Sequence, residues 1–326
     1  MSRDEADKHY DGTLPKDPQA DATLVSAQVP RVLTERDILT ASRVQAFSRE
    51  PIRSLTWTHH KLDQITGGIR APFHWVVAAD TSWGKSSFLV AIADDNMNAG
   101  KVTLLVSTED TEELYGARFM VRRAGVSACR YRDRKLTRDE KARVLDVEQA
   151  GKSVPVFVDA RGWKVEDLVP KLERLIAESK ADLIAFDYLQ EFQSKRRYQD
   201  ERVKFKEIAK QLRDLGKRCK IPSILLSQLT LTEKTVVPTR QNIRECKDVA
   251  NAADGILIGF EPAEDVVRDG QVVVRGGTKC VLIDKCKDGA RDSKVPLEWN
   301  AASACFRSVA APASDYDLPE DELDQL

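Results

Sequence analysis

Apolar residues along this chain keep two rhythms that alternate. Short, nearly unbroken runs (Trp75 to Ala78, Val102 to Val106, Val154 to Val158, Ala181 to Phe186, Ile221 to Leu226 and Ile256 to Ile258) have the length and β-branched content of buried strands. Between them stand helical stripes: Val165, Leu168, Val169, Leu172, Leu175 and Ile176 in one segment, and Phe205, Ile208, Leu212 and Leu215 in another. Ser87 to Ala93 reads as a further helix, as does the segment with Leu114, Ala117, Met120 and Val121, and one more starts near Thr137 in the charged connector 129–143. Strands taking turns with helices predict an α/β domain, a mostly parallel central sheet flanked by helices. Past Phe260 the pattern changes. Turns at Arg268-Asp269-Gly270, Arg275-Gly276-Gly277 and Asp288-Gly289 separate short runs, of which Lys279 to Lys285 and Ser303 to Val309 are expected to close the C-terminal edge with antiparallel strands.

The two ends break the rhythm. The first thirty or so residues are polar and interrupted by Pro15, Pro18 and Pro30, which predicts a disordered arm. Thr34 and Asp37 then resemble a capping box, and Ile38, Ala41, Val44 and Phe47 predict a short amphipathic helix over about 35–48, stopped by Pro51. The far end, 311–326, carries Asp315, Asp317, Glu320, Asp321, Glu322 and Asp324 with no basic residue, an acidic tail expected to be disordered. The division is therefore 1–50, a folded domain over 51–310, and the tail.

Composition narrows the function. The 326 residues are 42% hydrophobic and 32% charged with a net charge of −1, so binding of nucleic acid would have to come from local basic loops. No apolar run approaches the roughly 20 residues of a membrane span. The opening Met-Ser-Arg-Asp-Glu is not that of a signal peptide, and the expectation is a cytoplasmic protein with no membrane partner. Six scattered cysteines form no C-x-x-C pair, so reduced thiols and no zinc are expected. His59 and His60, adjacent on a segment read as extended, should point to opposite faces and act as ordinary polar residues.

The candidate chemistry centres on Ala79-Asp80-Thr81-Ser82-Trp83-Gly84-Lys85-Ser86, between the first strand and its helix. It matches Gly-x-x-x-x-Gly-Lys-[Ser/Thr] except that Ala79 replaces the first glycine. In that pattern backbone N–H groups wrap phosphates, the lysine neutralises them and the hydroxyl holds Mg²⁺. Ala79, Ser82, Gly84, Lys85, Ser86 and Ser87 are the expected nucleotide contacts. Carboxylates end two strands: Glu109 and Asp110 after the second, and Asp187 after Leu183 to Phe186, the latter placed to hold Mg²⁺ or to cap a helix. Gln228 ends another strand on the same side. Lys195, Arg196 and Arg197 with Tyr198, and the loop bearing Lys234 and Arg240, suit a phosphate backbone with some stacking.

Taken in order, Thr66-Gly67-Gly68, AADTSWGKS, VSTED, LIAFDYLQ, ILLSQL and IDKCKDG resemble the RecA-like motor domain of DnaB-type replicative helicases from about Ser54 to Val309. Alanine at the first loop position is usual in that family, and Asp187-Tyr188-Leu189-Gln190 is close to a signature. The resemblance implies a RecA-like P-loop ATPase core using ATP and Mg²⁺. In it Lys85 binds the β- and γ-phosphates, Ser86 and Asp187 hold the metal, Glu109 polarises the attacking water with Asp110 as the alternative, and Gln228 senses the γ-phosphate. It implies 5′ to 3′ movement on single-stranded DNA by a homo-oligomeric ring of six, in a compact, phage- or plasmid-like form without the N-terminal domain, the 35–48 helix docking on the next subunit. A trans-acting Lys-x-Arg of the family falls here on Lys285 and Lys287. Lysine cannot fork onto phosphate as arginine does, and the Lys-x-Lys pair is that of RecA-type recombinases. A recombinase or recombination mediator is therefore one alternative, and a KaiC-like regulatory ATPase another. The acidic tail is a candidate contact for primase, polymerase or loader partners.

Overall fold

The computed structural model describes residues 54–151, 153–231, 237–243, 247–268 and 271–310. The arm, the helix expected over 35–48, Lys234 and the acidic tail lie outside the described residues.

Six strands run parallel: β1 (His74–Ala79), β2 (Thr103–Ser107), β3 (Val156–Asp159), β4 (Leu183–Asp187), β5 (Ser223–Gln228) and β6 (Gly255–Phe260). A separate hairpin follows, β7 (Val266–Arg268) with β8 (Gln271–Val274). β9 (Cys280–Cys286) returns antiparallel to β6, and β10 (Ser293–Pro296) pairs antiparallel with β9, giving the order β10-β9-β6-β1-β5-β4-β2-β3. A parallel sheet buries both faces, which is why its strands read as continuous apolar runs. The helices are α1 (His60–Thr66), α2 (Lys85–Asn98), α3 (Glu112–Ala124), α4 (Ala128–Arg132), α5 (Arg138–Gln149), α6 (Val165–Ser179), α7 (Glu201–Cys219) and α8 (Lys247–Ala252). The stripes of α6 and α7 cover one face of the sheet, and α2 and α3 with Trp57 and Trp75 cover the other. The two layers leave the strand ends as the open surfaces of the domain.

Several local expectations change. Ser303 to Val309 does not extend the main sheet: β12 (Cys305–Phe306) pairs with β11 (Trp299–Asn300). Its Phe306 packs 5.3 Å from Phe88 and 4.9 Å from Trp83 between ring centroids, because an aromatic ring gains more from that buried cluster than from a sheet edge. Residues expected to lead only into a turn form α1. His59 is its N-cap, its Nδ1 accepting from the Lys61 N–H at 3.3 Å, and Gly67 closes it at φ 71°. As cap and first helical residue, His59 and His60 stack at 5.3 Å instead of facing apart. In α3 Tyr115 and Phe119 take the core and leave Leu114 50% exposed. The short helix α4 lies in the stretch read as a connector. Thr137 makes the full capping box with Glu140 at the start of α5.

At the opposite end of β1 from the phosphate loop, His74 is fully buried. Its N–H donates to Asp254 Oδ2 at 3.0 Å, its Nδ1 lies 2.8 Å from Ser223 Oγ, and burial lowers its pKa to about 3.

Candidate active site

The phosphate loop turns from β1 into α2. Ala79 is the last residue of β1, paired with Gln228 and Gly259 in ordinary strand geometry, so no glycine is required there. Gly84 is required: its φ of 101° lies in the region L side chains avoid. Trp83, 3% exposed, wedges the loop against the end of β6. Its indole N–H donates to the Phe260 carbonyl at 3.2 Å, and a Cβ at Gly259 would stand 2.6 Å from the ring.

Lys85 is buried at the start of α2, and its Nζ donates to the Ala79 and Asp80 carbonyls at 3.1 Å each. Burial lowers its pKa, opposed by the nearby Asp187, Asp80 and Glu109 carboxylates. Ser86 Oγ donates to Asp187 Oδ2 at 2.7 Å, and the Tyr115 hydroxyl donates to the same oxygen. Burial nonetheless holds the Asp187 carboxyl above its usual range, against the lowering effect of those two hydrogen bonds. A hydroxyl and a buried carboxylate side by side are hard oxygen donors, and a cation beside them would offset the cost of burying the charge. The pair fits Mg²⁺, which takes few protein ligands and keeps several waters. Thr108 secures the strand end: its N–H donates to the Asp187 carbonyl at 2.8 Å and its hydroxyl to the same oxygen at 3.0 Å.

Glu109 and Gln228 reach this floor from β2 and β5. With Thr81, Gly84, Lys85, Ser86, Ser87, Arg118, Asp187 and Tyr188 they line a cleft of about 170 Å³. The Glu109 carboxyl is pushed up by partial burial, then by Asp110, Asp187 and Glu191, and Lys85 pulls it down. Of the two carboxylates that follow β2, Asp110 is paired with Arg118 Nη2 at 2.7 Å and Glu109 is the one that lines the cleft, beside Asp187. Gln190 spans to β5, donating to Ser227 Oγ at 3.1 Å and accepting from the Gln228 N–H at 3.3 Å. A larger cavity of about 700 Å³ shares Ser87 and Arg118 with the cleft; its lining is mostly apolar, with Val90, Leu114, Ala117 and Val121, and also carries Arg132 and Arg134.

Ala79, Ser82, Gly84, Lys85, Ser86, Ser87, Glu109, Asp187 and Gln228 thus gather at the carboxyl ends of β1, β2, β4 and β5. Lys285 and Lys287 do not join them. Cys286 pairs with Gly255 at the start of β6, whereas Trp83 packs on Gly259 near its end, so the two lysines are removed by about four residues of strand, at roughly 3.3 Å each. Lys285 Nζ donates to the Ala250 and Asn251 carbonyls at 3.2 Å each, and exposed Lys287 lies 3.5 Å from Asp254. Lys195, Arg196 and Arg197 are exposed, Lys195 pairing with Asp167 at 2.5 Å. Arg240 Nε lies 2.5 Å from the buried Asp284 carboxylate, which braces its loop within the chain.

Sequence reasoning missed Trp83, Tyr115, Arg118 and Gln190. An indole inside a phosphate loop and the Tyr115/Phe119 spacing of four were visible signals; the contacts of Arg118 and Gln190 depend on strand order.

A family model for the DnaB-like helicase C-terminal domain matches residues 55–308. A probable replicative DNA helicase of Trieres chinensis is 25% identical over 218 residues, 65% of this chain and 48% of that protein. The replicative DNA helicase DnaB of Geobacillus stearothermophilus is 26% identical over 211 residues, 63% of this chain and 46% of that protein. The chain spans about half the length of the curated relatives it matches. Among solved structures, a DnaB-like replicative helicase described with its interactions with primase superposes with a TM-score of 0.71 at 18% identity, covering 86% of this chain and 68% of that one. A second solved structure, an ATPase domain, gives 0.70 at 18% identity, covering 84% of this chain and 98% of that one. At that identity the superpositions establish the RecA-like fold.

Proposed function

The chain belongs to the DnaB-like helicase C-terminal domain family, and from that premise we propose that it is the ATP-hydrolysing motor of a replicative DNA helicase, translocating as a ring on single-stranded DNA. One observation carries the reading: a phosphate-loop lysine, a serine–aspartate pair and a second carboxylate share one cleft, while the basic pair Lys285 and Lys287 stands at the opposite end of the same sheet.

Lys85 donates to the Ala79 and Asp80 carbonyls and can exchange them for the β- and γ-phosphate oxygens of ATP. Ser86 and Asp187 hold Mg²⁺, which when bound neutralises charge developing on the transferred phosphoryl group. Glu109 orients and deprotonates the attacking water, a role its raised pKa favours. Gln228, joined through Gln190 and Ser227, reports whether the γ-phosphate is present. Lys287 of each subunit completes the site of its neighbour, since its own cleft is out of reach. Lys195, Arg196 and Arg197 hold the DNA backbone; Lys234 and Arg240 belong to the same expectation, with Arg240 bracing its loop. Primase, polymerase or loader contacts through the acidic tail are part of this reading.

The test is ATP hydrolysis with and without oligo(dT), together with unwinding of a forked duplex. The expected result is DNA-stimulated hydrolysis and unwinding. Glu109→Gln should lower hydrolysis by roughly 10² or more with ATP binding retained, and Lys85→Ala should lose both. Hydrolysis indifferent to DNA, without unwinding, would overturn the helicase reading; strand exchange in its place would favour the recombinase.

A further inference from the structure

Of the five tryptophans, Trp57, Trp75 and Trp83 are buried and Trp299 is half-buried, whereas Trp163 is 37% exposed. A lone exposed apolar residue would mean little. Trp163, however, is held in a defined turn among cations. Its N–H donates to the Ala160 carbonyl at 3.1 Å, and the preceding Arg161 is locked onto Asp159. Lys171 Nζ stands 4.2 Å from the indole centroid.

This loop, at the carboxyl end of β3, is fastened to the stretch that follows β4. Lys164 bridges Gln193 in parallel, the Val165 N–H donates to the Gln193 carbonyl at 2.8 Å, and Lys164 Nζ donates to Gln193 Oε1 at 2.5 Å. Ser194 donates through its hydroxyl to Glu166, and the Lys195 N–H donates to Glu166 Oε2 at 2.9 Å. The indole and the exposed Lys195, Arg196 and Arg197 therefore share one braced ledge, on the sheet end that also holds the cleft. Asp159 pairs with Arg161, Asp167 pairs with Lys195 and Glu166 takes the Ser194 hydroxyl, whereas Lys164 bonds an amide and Lys171 a ring, so Lys164, Lys171, Arg196 and Arg197 give the ledge its excess of positive charge.

A single strand of nucleic acid presents what such a ledge can hold at once, a charged backbone and unstacked base faces; a duplex hides the faces in its own stack. We propose that Trp163 is a stacking platform for a nucleobase of the single strand whose backbone Lys195, Arg196 and Arg197 contact. This rests on the single-stranded-DNA reading above and adds a base-binding subsite, with a built-in preference for single over double strands, to it.

Binding of end-labelled oligo(dT) and of an abasic oligonucleotide of equal length, followed by anisotropy on the full chain, tests it. Trp163→Ala should weaken oligo(dT) binding roughly tenfold or more and leave the abasic strand unaffected, while Trp163→Phe keeps most of the affinity. Oligo(dT) should quench tryptophan emission in the native protein and not in Trp163→Phe. Equal binding of oligo(dT) by native protein and Trp163→Ala, equal losses on both strands, or a changed assembly size in Trp163→Ala would overturn the platform alone. A native protein that binds neither strand would overturn the DNA reading with it.

Discussion

A histidine sealed inside a sheet makes the whole fold answer to acid. His74 titrates normally at 6.5 when unfolded but is held to about 3 when native, so between these values the unfolded chain binds a proton that the native chain refuses. Its contribution is complete above pH 6.5 and lost as pH falls towards 3, at about 1.4 kcal/mol per pH unit. Guanidinium unfolding at pH 7.5, 6 and 5 should show that slope, and His74→Gln should flatten it. The candidate site residues feel the same burial, which lowers the Lys85 pKa and raises that of Asp187, but each also faces groups of opposite sign or hydrogen-bond donors that oppose the shift. Their identities were legible in the sequence, since glycine-lysine-serine and a strand ending in aspartate need no tertiary information. Tyr115 as the donor that steadies Asp187 was not, because that bond joins residues far apart in sequence.

Among the elements, the sharpest constraint is the fit of Trp83 into the space above Gly259. A methyl group at that position would force the indole out, an overpacking cost of about 1–3 kcal/mol. Gly259→Ala should therefore destabilise the protein and weaken ATP binding, and adding Trp83→Val should recover most of the loss, a coupling that a double-mutant cycle measures. Strands and long helices were readable because parallel strands and amphipathic helices each have one dominant period. The elements that escaped were set by particular tertiary contacts: α1 by the cap of His59 and the turn at Gly67, α4 by the Ser127 cap and the bond from the Ala128 N–H to the Ala302 carbonyl, β12 by the aromatic cluster around Phe306. Leu114 fell on the wrong side of α3 because two aromatic rings outcompete one leucine for the same core.

Across the molecule, Lys287 stands at the far end of the sheet from its own chain's cleft, and in the proposed ring that separation makes activity depend on neighbours. In the ring we propose, Lys85→Ala and Lys287→Ala preparations should each hydrolyse ATP poorly. Co-assembled in equal amounts they should regain activity, because about a quarter of the interfaces in a randomly mixed cyclic ring join an intact cleft to an intact lysine. No recovery would place Lys287 in its own subunit's chemistry or outside it altogether. In genetic terms the two lesions would behave differently from a simple loss of dose. A chain lacking Lys287 disables the site of a healthy neighbour; the interfaces that stay intact still hydrolyse ATP, whereas unwinding, which needs successive interfaces to fire, stalls at the first silent one. A cell carrying one good and one damaged copy would then retain far less than half its unwinding activity, and the defect would be dominant.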